Sequence, residues 1–356
     1  MAPKTTSTKS TSKAELKNKT ILITGGTGSF GEAASEHLLT RGVKNIRILS
    51  RDEAKQDAMR HRFNDPRLQF YLGDIRDRRS VDKAMEGVDM VFHAAALKQV
   101  PSCENFPEQA VQTNILGSEN IIESAYAHGV ERAVFLSTDK AVYPINAMGL
   151  SKALMEKLVQ ARANIIGNNG TKLISVRYGN VVHSRGSVVP LFIDQIRQGK
   201  PLTLTIPTMT RFLMTLDQAF GLIEMALTSG GQGDTLIRKA PAATVADIAD
   251  AVKQLYGSDN QVKVIGIRPG EKLHETLCTF SEMAAAEDMG DYLRIPHGHH
   301  KNFSETKAKD FSSDAAKQLD VQGVAKLLMN VPQIRRDQES WTQGHAPTLG
   351  LVRKAK

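Results

Sequence analysis

The sequence predicts an α/β fold, a doubly wound parallel sheet with a smaller cap built mainly from the C-terminal half. Three observations predict it. Short apolar runs recur between residues 20 and 177 with helical segments between them. A glycine-rich turn closes the first run. After about residue 180 the alternation loosens, and Pro190, Pro201, Pro207 and Pro269 punctuate shorter elements.

The runs are Thr20–Thr24, Asn45–Ser50, Leu68–Leu72, Asp89–His93, Ala133–Ser137 and Leu173–Arg177. They are largely unbroken rather than alternating, which suits strands covered on both faces. Strands separated by helices build right-handed βαβ units. Phe30–Arg41 has helical spacing, and segments 104–127 and 145–167 also read as helices. Residues 281–312 read as a loop. The expected organisation is a basic, disordered tail over 1–18, a nucleotide-binding domain mainly over 19–180, a cap mainly over 181–330 with returns to the main sheet, and a tail over 331–356. The cap is expected over the carboxyl ends of the strands, where open α/β sheets bind ligands.

Composition narrows the function classes. The 356 residues are 41% hydrophobic and 24% charged, ordinary values for a soluble protein with a sizeable core. No run of 18 apolar residues is present and no apolar segment follows the N-terminus, so neither a membrane span nor a secretory leader is expected. Cys103 and Cys278 have no metal-ligand spacing, which fits a reducing, cytoplasmic setting. The net charge of +8 sits in the ends. Five lysines against Glu15 give +4 over residues 1–19, and five basic residues against Asp337 and Glu339 give +3 over 334–356, leaving about +1 on the body. A nucleic-acid stripe on the folded body is therefore not expected. His297, His299 and His300 read as a polar loop rather than a metal site.

Thr24-Gly-Gly-Thr-Gly-Ser-Phe-Gly31 lies between the first strand and the first helix. Its Gly25-x-x-Gly28-x-x-Gly31 spacing permits a tight turn and close approach of a pyrophosphate to a helix N-terminus, so the fold is read as Rossmann-type. Without a ligand it would be only a glycine-rich turn. The second strand ends Ser50-Arg51-Asp52-Glu53. Arg51 suits a 2′-phosphate and favours NADP over NAD, while Asp52 is an alternative helix cap. Asp74, after the third strand, suits the adenine or else caps a turn. The small residues Ala94, Ala95 and Ala96 after the fourth strand allow close approach of the cofactor.

From Lys19 to Asp291 the chain resembles the extended short-chain dehydrogenase/reductase family. Such enzymes usually carry Tyr-x-x-x-Lys on the helix after the fifth strand. Here the lysine is Lys152, but position 148 is methionine. A thioether is neither acid nor base. The surrounding motifs are Ser137-Thr-Asp-Lys-Ala141, His93-Ala-Ala-Ala-Leu-Lys-Gln-Val-Pro101, Arg177-Tyr-Gly-Asn-Val181, Ser184-Arg-Gly-Ser-Val-Val-Pro190, Met209-Thr-Arg-Phe212 and Arg268-Pro-Gly-Glu-Lys272. This set resembles the inverting UDP-N-acetylglucosamine 4,6-dehydratases of bacterial surface-sugar synthesis, in the branch with Met at the tyrosine position.

The resemblance implies internal redox dehydration. Hydride leaves sugar C4 for NADP+, the resulting ketone acidifies C5, the 6-hydroxyl leaves as water and hydride returns to C6. Asp139 is implied as the acid at C6 and Lys140 as the C5 base, on condition that burial and nearby positive charge depress its pKa. Retaining relatives carry Asp-Glu at these positions. Thr138 is implied at the C4 oxygen and Lys152 at the nicotinamide ribose. The acceptor of the C4 proton stays open between Thr138 with a water, Lys140 and another group. Tyr143 lies off the helical face of residue 148. The resemblance further places Thr27, Ser29, Phe30, Ser50, Ile75, Lys98, Asn114 and Tyr178 at the cofactor. Lys98, Met148, Asn180, Ser184, Arg185, Ser187, Val188, Arg211, Arg268 and Glu271 are placed at the nucleotide sugar. Met148 has core packing as its simpler role. The chain departs from the pattern at Ile206, where relatives have Asp, and at His183, where they have a small residue. A homo-oligomer, dimer or hexamer, is implied through the helices near 104–127 and 145–167. Two other functions remain open, a UDP-sugar 4-epimerase, which has no need of Asp139 and Lys140, and a non-catalytic dinucleotide sensor or RNA-binding member.

Overall fold

The computed structural model describes residues 15–182, 184, 186–298 and 308–344. Its strands in chain order are β1 (Thr20–Thr24), β2 (Asn45–Ser50), β3 (Leu68–Leu72), β4 (Met90–His93), β5 (Arg132–Leu136), β6 (Lys172–Arg177), β7 (Asn180–Val181), β8 (Leu202–Leu204), β9 (Thr210–Met214), β10 (Thr235–Arg238), β11 (Ala242–Thr244), β12 (Val262–Val264), β13 (Thr276–Cys278), β14 (Glu287–Asp288), β15 (Tyr292–Ile295) and β16 (Phe311–Ser312). Nine of them form one sheet in the order β14-β15-β10-β6-β5-β4-β1-β2-β3. β10 to β3 run parallel, and β14 and β15 are an antiparallel edge. This is the Rossmann-like α/β fold with a parallel central sheet. The order reverses between β1 and β4, so a crevice opens at their carboxyl ends.

Alternation of side chains across each strand explains the apolar runs. Ile21, Ile23, Ile46, Ile48, Phe92, Val134 and Ile174 pack on one face, with Phe220, Leu222 and Leu227 of helix Leu216–Ser229. Leu22, Leu49, Val91, Ala133, Phe135 and Leu173 pack on the other, under helices Arg78–Met85, Gly117–Ala127 and Ala147–Ile166. Period-2 splitting between two buried faces makes most positions of these strands apolar.

The cap has its own core, Phe192, Ile193, Ile248, Val252, Val324, Leu328 and Ile334, from helices Val188–Arg197, Val245–Tyr256, Val321–Met329 and Pro332–Gly344. Three small sheets join it, β11-β9-β7, β12-β8 and β13-β16.

Three regions differ from the sequence reading. Within 281–312 lie the end of the short helix Phe280–Ala285 and the β14–β15 hairpin that completes the main sheet. These strands are short, and Arg294 on β15 is held by buried Asp234 at 2.6 Å, so hydrophobic patterning does not reveal them. In the N-terminal segment, Leu16 is fully buried in the core, while residues 1–14 lie outside the described residues. In the C-terminal segment, helix Pro332–Gly344 buries Ile334 completely, and Trp341 Nε1 donates to the Tyr256 carbonyl at 3.0 Å.

Ile334→Ala should lower stability by about 2–4 kcal/mol in urea unfolding, the cost of truncating a buried aliphatic side chain. A loss below about 0.5 kcal/mol would show the helix to be dispensable to the cap.

Candidate active site

At the end of β1, Gly25 has φ +67°, and a Cβ there would lie 2.8 Å from the Ala95 Cα. A Cβ on Gly31 would overlap the Gly26 backbone. The turn therefore admits only glycine at these two positions. Thr24 ties it to β4: its hydroxyl pairs with His93 Nδ1 at 2.7 Å and accepts from the Ala95 N–H at 3.2 Å. His93 Nε2 meets Ser118 Oγ at 3.0 Å. Burial, with Lys152 nearby, pushes the His93 pKa down to about 3, so the ring is a neutral hydrogen-bonding strut. Helix Ser29–Leu39 starts without a side-chain cap, leaving its first N–H groups for an anion. Phe30 stacks on Tyr178 with centroids 5.7 Å apart, closing the floor. Burial and the Asp139 charge raise the Tyr178 pKa, so it stays a phenol. The cradle fits a dinucleotide.

Arg51 follows β2, is half exposed, and its guanidinium lies 3.5 Å from Asp74. Asp52 caps the next helix by accepting from the Lys55 N–H at 3.0 Å. Asp74 also accepts from the Arg76 side chain and N–H. Ser50 Oγ and Ile75 are buried beside these ends. Asn114 is fully buried in a π-helical turn, Val111–Leu116. Its amide bonds both backbone groups of Leu97 and Ser151 Oγ, so it fixes the loop after β4 and both of its N–H donors are engaged there.

The catalytic candidates leave β5 in a short 3-10 turn, Asp139–Ala141, capped by Thr138. Asp139 is 1% exposed, and its Oδ1 accepts from Thr138 Oγ1 at 2.9 Å and Lys140 Nζ at 3.0 Å. The depressed Lys140 pKa expected from sequence is not found. Burial alone would lower it, but Asp139 and Glu275 outweigh burial and the raised pKa holds Lys140 as an ammonium. Glu275, missed in the sequence, lies 3.2 Å from Lys140 Nζ and is 2% exposed. It comes just after the Arg268–Lys272 motif, but only the fold brings it to β5. The depressed lysines are elsewhere. Lys272, lowered by burial, donates to the Val142 carbonyl.

Helix Ala147–Ile166 is capped by Asn146, which accepts from the Gly149 N–H at 2.8 Å and donates to the Gly270 carbonyl at 2.8 Å. A Cβ on Gly149 would overlap the Lys140 carbonyl, so this glycine sets how closely the helix approaches the Asp139–Ala141 turn. Lys152 is 6% exposed and donates to the Leu136 carbonyl at 2.7 Å. Burial lowers its pKa to about 8, against the opposing pull of Glu156. Met148 does not meet the cavity. It is 4% exposed and packs with Cys103 and Ala110, a thioether filling a gap in the core. Tyr143 is exposed, at φ +47°, with its hydroxyl on Asp310.

A cavity of about 580 Å³ opens between the sheet and the cap. Lys98, Lys140, Asn180, Ser184, Ser187, Val188, Arg211, Arg268, Glu271 and Glu275 line it. Asn180 Oδ1 and Ser187 Oγ are buried without a hydrogen-bond partner among the described residues. Ser187 begins helix Val188–Arg197, whose N-terminus faces the cavity uncapped by any side chain. Arg211 is anchored on the Thr210 and Leu273 carbonyls. Arg268 is exposed, 3.7 Å from Glu271. Arg185, His183, His299 and His300 lie outside the described residues, and His297 pairs with Asn164. Ile206 packs against the cap core.

A family described as polysaccharide biosynthesis protein matches residues 21–297. The chain belongs to that family. Proteins named UDP-glucose 4-epimerase in Rickettsia felis and Rickettsia canadensis are each 49% identical over 334 residues, covering 90% of this chain and 98% of theirs. Among solved structures, Pen from Bacillus thuringiensis is 37% identical with a TM-score of 0.83, covering 88% of this chain and 98% of its own. The Thermus thermophilus UDP-glucose 4-epimerase, solved with NAD, is 26% identical with a TM-score of 0.62, covering 71% and 88%.

Two outcomes test this geometry. Gly149→Ala should push the Lys140 turn away, cutting turnover at least tenfold for a stability cost of about 1–3 kcal/mol. Unchanged turnover would remove the helix contact as a constraint. Lys152→Met should raise the unfolding midpoint at pH 7, because below pH 8 the wild type buries an ammonium. At about 1.4 kcal/mol per pKa unit the shift from 10.5 to about 8 corresponds to a gain of about 3–4 kcal/mol. The fold's Lys152 pKa lies below the unfolded value of 10.5. The wild type therefore recovers stability between pH 8 and 10.5, and the two curves should converge there. A gap that widens with pH would overturn the assignment.

Proposed function

We propose that the chain is a UDP-N-acetylglucosamine 4,6-dehydratase that inverts C5, giving UDP-2-acetamido-2,6-dideoxy-β-L-arabino-hexos-4-ulose for a surface or capsular polysaccharide. The observation that carries this reading is the ion-paired Asp139 and Lys140, with Lys140 lining the same cavity as Arg211, Arg268 and the uncapped N-terminus of helix Val188–Arg197. A 4-epimerase needs only proton and hydride exchange at C4. A buried carboxyl group beside a lysine offers more, the acid and base that elimination across C5 and C6 requires.

The residues divide along the substrate. Arg211, Arg268 and the N-terminus of helix Val188–Arg197 hold the diphosphate, with Asn180 and Ser187 supplying polar groups. Glu271 serves the uridine ribose. At the sugar, Thr138 donates to Asp139 and sits at the C4 oxygen. Asp139 protonates the departing 6-hydroxyl, and Lys140 removes the C5 proton. Lys152, with the Gly25–Gly31 turn, positions the dinucleotide, and Arg51 at the end of β2 favours NADP over NAD. The chemistry that bound NADP would supply is removal of hydride from C4 and its return to C6. A buried Met148 contributes no proton, so the C4 hydroxyl proton passes to the Thr138–Asp139–Lys140 group. Leu116, Leu150, Leu154 and Ile165 are exposed on the helices beside β5, and a second copy covering them makes the homo-oligomer.

The relatives named UDP-glucose 4-epimerase favour a second reading, epimerisation at C4. Proton NMR of UDP-N-acetylglucosamine, and separately UDP-glucose, with catalytic NADP+ or NAD+ in deuterium oxide separates the two. The expected outcome is a C6 methyl signal with deuterium at inverted C5, formed faster with NADP+. A C4 epimer without a methyl signal would replace the dehydratase by the epimerase.

A further inference from the structure

Glu275 has no role in the reading above. It precedes β13, and its backbone is pinned to the cap: its N–H donates to Ser313 Oγ at 2.9 Å, and its carbonyl accepts from the Ser313 N–H at 2.7 Å. Ser313 Oγ in turn pairs with Thr210 Oγ1 at 2.6 Å. The side chain turns the other way, lines the cavity and reaches Lys140. Asp139 Oδ2 and Glu275 Oε2 are both buried with no hydrogen-bond partner among the described residues. A buried carboxylate oxygen without a donor is costly unless a proton or substrate group visits it. Lys140 therefore stands between two carboxylates, each with one oxygen unmatched.

Proton accounting for the dehydration gives that arrangement a purpose. At rest the three groups share one mobile proton, on Lys140. Oxidation at C4 releases the hydroxyl proton into the group, making two. If Asp139 and Lys140 were the only seats, both would be filled. Asp139 would then be an acid, but Lys140 would be an ammonium and no base. We propose that Glu275 is the third seat: it accepts the proton of Lys140 while Asp139 holds the other, leaving Lys140 a neutral amine that removes the C5 proton. The C5–H electron pair then forms the C5–C6 double bond. The C6–O bond breaks, and Asp139 protonates the departing oxygen to give water. Glu275 and Lys140 now hold two protons. C5 takes a proton from solvent on the opposite face as C6 is reduced, one proton of the group is released to solvent, and the group is back to one.

Glu275 acts through Lys140 and is thus a positioning residue for protons. Other charges surround the centre: Arg211 and Lys272 from the cap oppose protonation of Lys140, and Asp139 from β5 favours it. His274 faces away, with Nδ1 on Thr210. Removing the Glu275 charge leaves Lys140 with one carboxylate instead of two.

This inference rests on the dehydratase reading, and the experiment separates the two. Glu275→Gln keeps the volume and loses the seat, while Glu275→Asp keeps a seat at a shorter reach. In Glu275→Gln, turnover should fall a hundredfold or more with KM nearly unchanged. A C5-deuterium isotope effect on kcat should appear or grow, because C5 proton removal becomes rate-limiting. Glu275→Asp should recover at least tenfold of the loss. Independently of turnover, acylation of Lys140 by an amine reagent across pH, read by peptide mass spectrometry, should show its midpoint lowered in Glu275→Gln. Turnover within threefold of wild type, an unchanged isotope effect, or an unmoved Lys140 midpoint would overturn the third seat while leaving the dehydratase intact. Absence of the C6 methyl product from the wild type would sink the dehydratase reading and the seat with it.

Discussion

A parallel sheet must be covered on both faces, and here helices cover them. The constraint leaves one open place, the carboxyl ends of the strands, where β1 and β4 diverge. Everything with chemical content is arranged there. The glycine turn ends β1, Arg51 follows β2, Asp74 follows β3, the three alanines follow β4 and the Thr138–Lys140 turn follows β5. The cap then supplies the other wall, so the cavity exists only because two separately packed cores meet along it.

Burying charge at that seam requires matched partners. Lys140 tolerates low exposure because two carboxylates surround it. Farther from the cavity, Arg177 on β6 is held by Glu156 from helix Ala147–Ile166 and Glu282 from the C-terminal half, with N–O distances of 2.6 and 2.9 Å. That ion triad fastens the end of β6 to both sides. Lys152 has no carboxylate on its ammonium, only the Leu136 carbonyl and the Met155 thioether, and burial brings its pKa down to about 8.

The legibility of the chain follows from how local each signal is. Strands β1 to β6 lie within one residue of the apolar runs, because glycines and charges end them sharply and most of their positions are buried. The β14–β15 hairpin was invisible, since an edge strand of four residues held by Arg294 and Asp234 carries no long apolar stretch. Helix Pro332–Gly344 was equally hidden: its apolar anchors Ile334 and Trp341 sit among charged residues, and tertiary packing rather than local pattern makes it fold. Asp139 and Lys140 could be read because they are neighbours in sequence. Glu275 could not, because no local pattern announces a partner from the other half. The Met148 side chain followed its plain chemistry into the core, and Asn114 proved to be a brace for a π-helical turn.

The path of the chain has a consequence for how such proteins can be recombined. After entering the cap at β7 it returns to the main sheet at β10, leaves again, and returns at β14 and β15 before the described residues end in the cap. No single cut separates the two halves. A chimera made by joining an N-terminal portion of one relative to a C-terminal portion of another would divide both the sheet and the charge cluster between parents. Exchange of substrate preference by crossover at one point is thereby disfavoured, and diversification is channelled into the loops that line the cavity.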